Sequence, residues 1–163
     1  MGRKQTNKVI FENITVLDAG AKGVSVAKAP EGQVIFIPNV VPGDVVDVQT
    51  FKKRKSYFEG KAIKFHSYSQ NRIEPVCQHF GACGGCKMQH LNLHSQVAVK
   101  QRVVEDNLWH IGKVKPELVL RPLQGPDWKY RHRARLSVRY VVKKSKVLIG
   151  FHERKSGYVA DMS

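Results

Sequence analysis

The chain has 163 residues, enough for one domain of ordinary size or two small ones, and 42% of them are hydrophobic, which supports a packed core and excludes a disordered chain. Twenty-eight Lys and Arg against thirteen Asp and Glu leave a formal charge of +15. That balance favours a polyanionic partner through long-range attraction and counterion release, while the lack of any apolar run long enough for a bilayer span predicts a soluble protein with no membrane partner.

The opening "MGRKQT" places Gly2 and Thr6 in a loose myristoylation pattern, but one lipid without a second membrane signal anchors only weakly, and nothing there resembles a secretory leader. From Val9 to about Phe65 short apolar segments follow one another: "VIFENITVLD", "GVSVAKA", "QVIFIP", "DVVDVQTF" and "YFEGKAIKF". Gly20, Gly23, Pro30-Glu31-Gly32 and Pro42-Gly43-Asp44 punctuate them with turn chemistry. Five strands in under about sixty residues predict a small OB-like barrel that closes its own edges. Between the last two strands, "FKKRKSYF" sets Lys52, Lys53, Arg54 and Lys55 directly before Tyr57 and Phe58. Cations beside aromatic rings suit single-stranded RNA, with phosphates drawn to the charge and bases stacked on the rings. The competing reading makes the segment a charged hairpin tip whose rings fill the barrel core.

After the polar connector "HSYSQNRIEP" comes "CQHFGACGGCKMQH", which holds all three cysteines, Cys77, Cys83 and Cys86. An odd number in one short loop suits a disulfide framework poorly and predicts a reducing, cytoplasmic setting. Thiolates at this spacing around Gly84-Gly85 read as metal ligands. A tetrahedral zinc site needs a fourth ligand, for which His79, His90 and His94 are at hand, whereas a [4Fe-4S] cluster needs a fourth cysteine that this chain lacks. Leu93, Val97, Val104, Leu108 and Ile111 then recur at helical spacing, predicting a helix over about 95–110, its stripe packed in a core and Gly112 at its end. Further on, "KYRHRARLSVRY" alternates, with Lys129, Arg131, Arg133, Arg135 and Arg139 on one face and Tyr130, Ala134, Leu136, Val138 and Tyr140 on the other. The pattern predicts a strand, packed on one side and cationic on the other, with "KVLIGFHER" as its hairpin partner. From Lys129 to Lys155 there are ten Lys and Arg and a single acid, Glu153, so this hairpin forms a second basic surface.

The motif "CQHFGACGGCKMQHL", a helix, and then "YRHRARLSV" together resemble the RNA (uracil-5-)-methyltransferase family, and "GVSVAKAPEGQVIFIPNVVPGDVV" is similar to the TRAM domain that precedes the cluster in the branch acting on 23S ribosomal RNA. The resemblance spans about Val9 to Ser163. It implies a mainly β protein, with a TRAM barrel over 1–66 and a partial central α+β domain over 67–163 that carries the cysteine loop, the helix and the basic strands. It further implies that Cys77, Cys83 and Cys86 hold a [4Fe-4S] cluster with a fourth cysteine beyond Ser163. The S-adenosylmethionine pocket, the cysteine nucleophile that adds to uracil C6 and the general base would all lie in a C-terminal domain absent from this chain, which thus holds no catalytic residue and is inactive alone. RNA recognition is left to Lys52, Arg54, Lys55, Tyr57, Phe58, Arg131, Arg133 and Arg135, with 23S ribosomal RNA as partner and no obligate protein partner evident. The alternative from another class is a stand-alone RNA-binding module with a structural zinc site. A methylthiotransferase, also a user of TRAM domains, is disfavoured because its C-x3-C-x2-C signature is missing.

Overall fold

The structure, a computed structural model, describes residues 8–20 and 23–162, so the Gly2/Thr6 pattern lies outside the described residues. Backbone proximity divides the chain into two compact units, Met1–Ile73 with His90–Pro122 and Glu74–Gln89 with Leu123–Ser163. The connector after the barrel and the helix group with the barrel, while the cysteine loop groups with residues Leu123–Ser163.

In the first unit, β1 (Ile10–Ala19), β2 (Val24–Lys28), β3 (Val34–Pro38), β4 (Val45–Lys53) and β5 (Tyr57–Ser67) form a closed barrel in the order β1-β2-β3-β5-β4. Every pairing is antiparallel except β3 with β5. Closure works because alternate residues are apolar and point inward: Ile14, Val16, Ala27, Ile35, Ile37, Val46, Val48 and Phe58 fill the interior. All five expected strands are present, and the fold is mainly β as the turn spacing predicts.

The turn between β3 and β4 anchors the chain on its way out of the barrel. Pro42 presets the first corner, Gly43 takes φ +92°, and the Asp44 amide donates to the Val41 carbonyl at 3.1 Å, the pattern of a type II turn. Asp44 is fully buried, and its carboxylate accepts from the Val41 amide at 2.8 Å, the Ser69 amide at 3.0 Å and the Arg72 guanidinium at 2.6 Å. The Arg72 fork also donates to the Asn39 carbonyl at 3.0 Å. A buried carboxylate left unpaired is costly, so this network fixes the path of residues 69–72 against the barrel.

Helix α1 (Leu93–His110) belongs to the same unit. It starts two residues before the expected Ser95, because Asn92 caps it by accepting from the Ser95 amide at 2.8 Å. The face set against the barrel carries Ser95, Ala98, Val99 and Arg102, which line a groove with Leu17, Pro42 and Leu91, and Arg102 pairs with Asp18. The expected stripe is therefore not a core: α1 has no fully buried residue, and Val104, Leu108 and Ile111 are exposed. Gly112 does sit at the helix end, its amide donating to the Asn107 carbonyl at 2.9 Å, but the left-handed residue is Lys113, with φ 54°.

The second unit contains β6 (Ser137–Val141), a 3-10 turn over Val142–Lys144, and β7 (Lys146–Gly150), paired antiparallel from Ser137↔Gly150 to Val141↔Lys146. The expected hairpin is present, but its first strand is shorter than the alternation suggests. Residues 129–136 form neither helix nor strand and are exposed on both supposed faces. The reason lies in the partner: β7 offers only five residues before Phe151 and His152 turn to pair with Ala160 and Val159, so nothing is left to complete a ladder beyond Ser137.

Candidate nucleic-acid interface

The first basic surface is the tip of the β4–β5 hairpin, closed by the Arg54 amide donating to the Tyr57 carbonyl at 2.8 Å. Lys52 and Lys53 are the last residues of β4 rather than loop residues, and Arg54 and Lys55 form the turn itself. Lys52 spends its charge on Glu59 at 3.1 Å, and Lys53 lies 5.6 Å from the centre of the Phe58 ring. Arg54 and Lys55 are exposed and make the tip cationic.

The two rings expected to stack bases fare differently. Phe58 is 5% exposed, packed edge-on against Phe11 at 5.4 Å inside the barrel, so its faces are closed to a base. The strand parity that turns Phe58 inward turns Tyr57 outward, where it is half-buried and meets Phe36 edge-on at 5.2 Å. For Phe58 the core-filling reading holds.

An aromatic cluster lies at the end of β5, running into the stretch whose composition suggests only a polar connector. Phe65 and Tyr68 stack with ring centres 5.1 Å apart and planes 25° from parallel, and the Arg72 guanidinium lies 4.9 Å from Phe65 and 5.7 Å from Tyr68. The signal was present in "KFHSYSQNR", where two rings and an arginine fall at spacings of three and four, but without the Asp44 contact nothing marks them as a group.

In the second unit, Arg131, Arg133 and Arg135 are exposed in the irregular stretch before β6, with Arg131 5.9 Å from the Tyr130 ring centre. Their regular same-face spacing along a strand is not found. Arg139, on β6, reaches the Gly157 carbonyl at 3.5 Å.

The cysteine loop of this unit is held by backbone pairing to the chain after β7. The Gly84 amide donates to the His152 carbonyl at 2.8 Å and the Arg154 amide to the Ala82 carbonyl at 2.9 Å. A Cβ on Gly84 would stand 2.7 Å from the His152 carbonyl oxygen, and one on Gly85 2.9 Å from the Phe151 ring, so the paired glycines serve this close approach. Cys83 is buried, Cys77 half-buried and Cys86 exposed, and the Cys83 sulfur accepts from the Gly85 amide at 3.3 Å. Arg154 lies 4.9 Å over the Phe80 ring and donates to the Cys86 carbonyl at 2.6 Å. Burial pulls its guanidinium below the ordinary arginine range, while Cys83 and Cys86 push it back up.

In donor type the three thiols fit a soft, thiolate-bound centre. In position, no three His, Cys, Asp or Glu side chains among the described residues are gathered closely enough to hold a metal ion. Of the histidines considered as fourth ligands, His90 is buried in the first unit with Nε2 3.3 Å from the Val40 carbonyl, His94 is exposed on α1, and His79 lies beside Gln78 at 3.3 Å. Among the described residues no helix is long and apolar enough to cross a membrane.

Residues 3–63 match the TRAM domain family. Over 153 residues, 91% of its length, the chain is 56% identical to the 23S rRNA (uracil(1939)-C(5))-methyltransferase RlmD of Acidovorax sp. (strain JS42), covering 31% of that protein. It is 52% identical over 154 residues to the protein of the same name from Cupriavidus necator, covering 93% of this chain and 35% of the relative. The protein of that name from Polaromonas sp. is 55% identical over 151 residues, 90% of this chain and 31% of its own length. The chain thus spans about a third of the length of the curated relatives it matches. With a closed barrel where the TRAM match falls, the chain carries a TRAM domain, and over nine-tenths of its length it is similar to about a third of the length of proteins named as 23S rRNA uracil-C5-methyltransferases.

Proposed function

We propose that this chain is the N-terminal RNA-recognition part of an S-adenosylmethionine-dependent enzyme that methylates C5 of a uridine in 23S ribosomal RNA. The observation that carries the reading is the homology over nine-tenths of the chain to proteins named for that reaction, which starts in a barrel bearing a cationic hairpin tip. Arg54 and Lys55 at the tip, and Arg131, Arg133 and Arg135 before β6, supply exposed charge for the phosphate backbone. Uracil C5 is a poor nucleophile, so the reaction calls for a thiolate to add at C6, for a methyl donor and for a base to remove the C5 proton. Those parts would lie in the two-thirds of such an enzyme that this chain does not span, and the chain alone is expected to transfer no methyl group.

Cys77, Cys83 and Cys86 would hold a [4Fe-4S] cluster together with a cysteine from that further sequence. Such a cluster, when bound, ties the loop's sulfurs to one rigid centre. The chain's own residues prepare the loop: Gly84 and Gly85 admit its close packing, and Arg154 clamps it through Phe80 and the Cys86 carbonyl. Thiolates that hold a metal centre rather than forming disulfides fit a reducing, cytoplasmic compartment. The reading is tested by comparing the 163-residue chain's affinity for an unmodified 23S rRNA transcript with that for duplex DNA of equal length. Preference for the RNA is expected, with no methyl incorporation from labelled S-adenosylmethionine; equal affinity for both would contradict it.

A further inference from the structure

Single exposed tyrosines are ordinary on protein surfaces and need no explanation. Tyr68 differs in how it is held. It is 68% exposed, yet its ring is backed by Phe65 at 5.1 Å in a near-parallel stack. The three separations, 5.1 Å between the rings and 4.9 Å and 5.7 Å from the guanidinium to each, make a nearly equilateral triangle. Arg72 and Phe65 thus sit close together against Tyr68, and at 68% exposure much of the rest of the phenol ring is open to solvent.

The support is rigid to its root. Arg72 gives Nε and Nη2 to the fully buried Asp44, and Nη2 also to the Asn39 carbonyl, so this edge of its fork is engaged in the barrel. Asp44 in turn is fixed by the Pro42-Gly43 turn and also takes the Ser69 amide, next to Tyr68. Folding thus orders the Tyr68 ring in advance, and a flat ligand landing on it gives up little further side-chain freedom. The guanidinium beside the rings adds attraction for a π-face.

We infer that the exposed ring of Tyr68, on the Phe65–Arg72 support, is a stacking site for one unpaired nucleobase of the bound RNA. Phe58, enclosed in the barrel, does not serve that purpose, and the end of β5 presents an open ring in its place. The inference rests on the RNA-binding reading given above and adds to it the residue that takes a base. Stacking is sequence-tolerant because every base has a π-face, so the site fixes position along the strand without selecting the nucleotide.

The test uses the 163-residue chain and a single-stranded oligouridine carrying one 2-aminopurine. Tyr68→Ala is expected to weaken binding about tenfold, to leave the dependence on salt unchanged and to abolish quenching of the 2-aminopurine, while Tyr68→Phe keeps both affinity and quenching. Arg54→Ala is expected to do the reverse, lowering the salt dependence and keeping the quenching. Because a variant can also fail by misfolding, the wild-type chain is irradiated with the same RNA carrying 5-iodouridine, and the cross-link is expected on Tyr68. RNA binding that persists in Tyr68→Ala with full quenching, or a cross-link elsewhere, would overturn the stacking site and leave the RNA reading intact. A wild-type chain that binds no RNA at low salt would overturn both.

Discussion

Asp44 is the residue on which most of the first unit's architecture turns. Its carboxylate has no exposure and three sets of donors, from Val41, Ser69 and Arg72. Arg72→Ala removes the only cation of the set and leaves a buried negative charge, so a loss of about 3–5 kcal/mol is expected, measurable as a lowered midpoint in urea unfolding. An unchanged midpoint would show the pair to be dispensable. Asp47 provides a contrasting case at the surface of the barrel. The Asn13 amide at 2.9 Å, and then His66 at 2.6 Å, hold its carboxyl below the ordinary 3.8. A depressed carboxyl stabilises the folded state above its unfolded value and loses that contribution as pH falls through the folded one. Asp47→Asn should therefore be less stable than wild type at neutral pH, with the gap closing well below pH 4 in thermal melts. A gap that widens on acidification would contradict the assignment. The sequence marks Asp44 only as part of a turn, because its partner Arg72 stands 28 positions away and no local pattern joins them.

At the level of elements, the barrel was legible because its code is local: alternating apolar positions, with Gly and Pro between them, name five strands within one or two residues of those found. Even Gly60, inside β5, obeys that code. A Cβ there would stand 2.6 Å from Val48 Cγ1 and 3.1 Å from the Gln49 carbonyl oxygen, so Gly60→Ala is expected to destabilise the barrel by about 1–3 kcal/mol, read from its melting temperature. A neutral effect would mean that β4 yields more easily than a closed ladder should. The helix and the long basic strand were less legible because what they face is not local. Period 3.6 locates α1, but the stripe that meets the barrel runs through Ser95, Ala98 and Arg102, chosen by the groove and the Asp18 pairing rather than by hydrophobicity. Alternation over 129–140 suggests twelve strand residues, yet a strand extends only as far as its partner, and β7 supports Ser137–Val141. Of the candidate interface, the cations at the hairpin tip were readable from composition. The Tyr68 face was not, since it depends on the buried Asp44–Arg72 pair.

For the whole molecule, the charge of +15 and the three free thiols are the properties that no single element explains. Since the chain spans about a third of its relatives, the cluster is best tested in a longer protein with the further sequence. Purified without oxygen, that protein is expected to carry iron and sulfide and to lose both in Cys83→Ser; stoichiometric zinc without iron would favour a structural zinc site instead. The central claim, that the excess charge serves RNA recognition, is tested most directly by the salt dependence of the 163-residue chain's affinity for single-stranded RNA. If Arg54, Lys55 and the exposed arginines before β6 neutralise about four phosphates, the logarithm of affinity falls linearly with the logarithm of salt concentration with a slope of about −3. A slope near zero, or no binding at low ionic strength, would contradict the account and reduce the charge to a solvated surface.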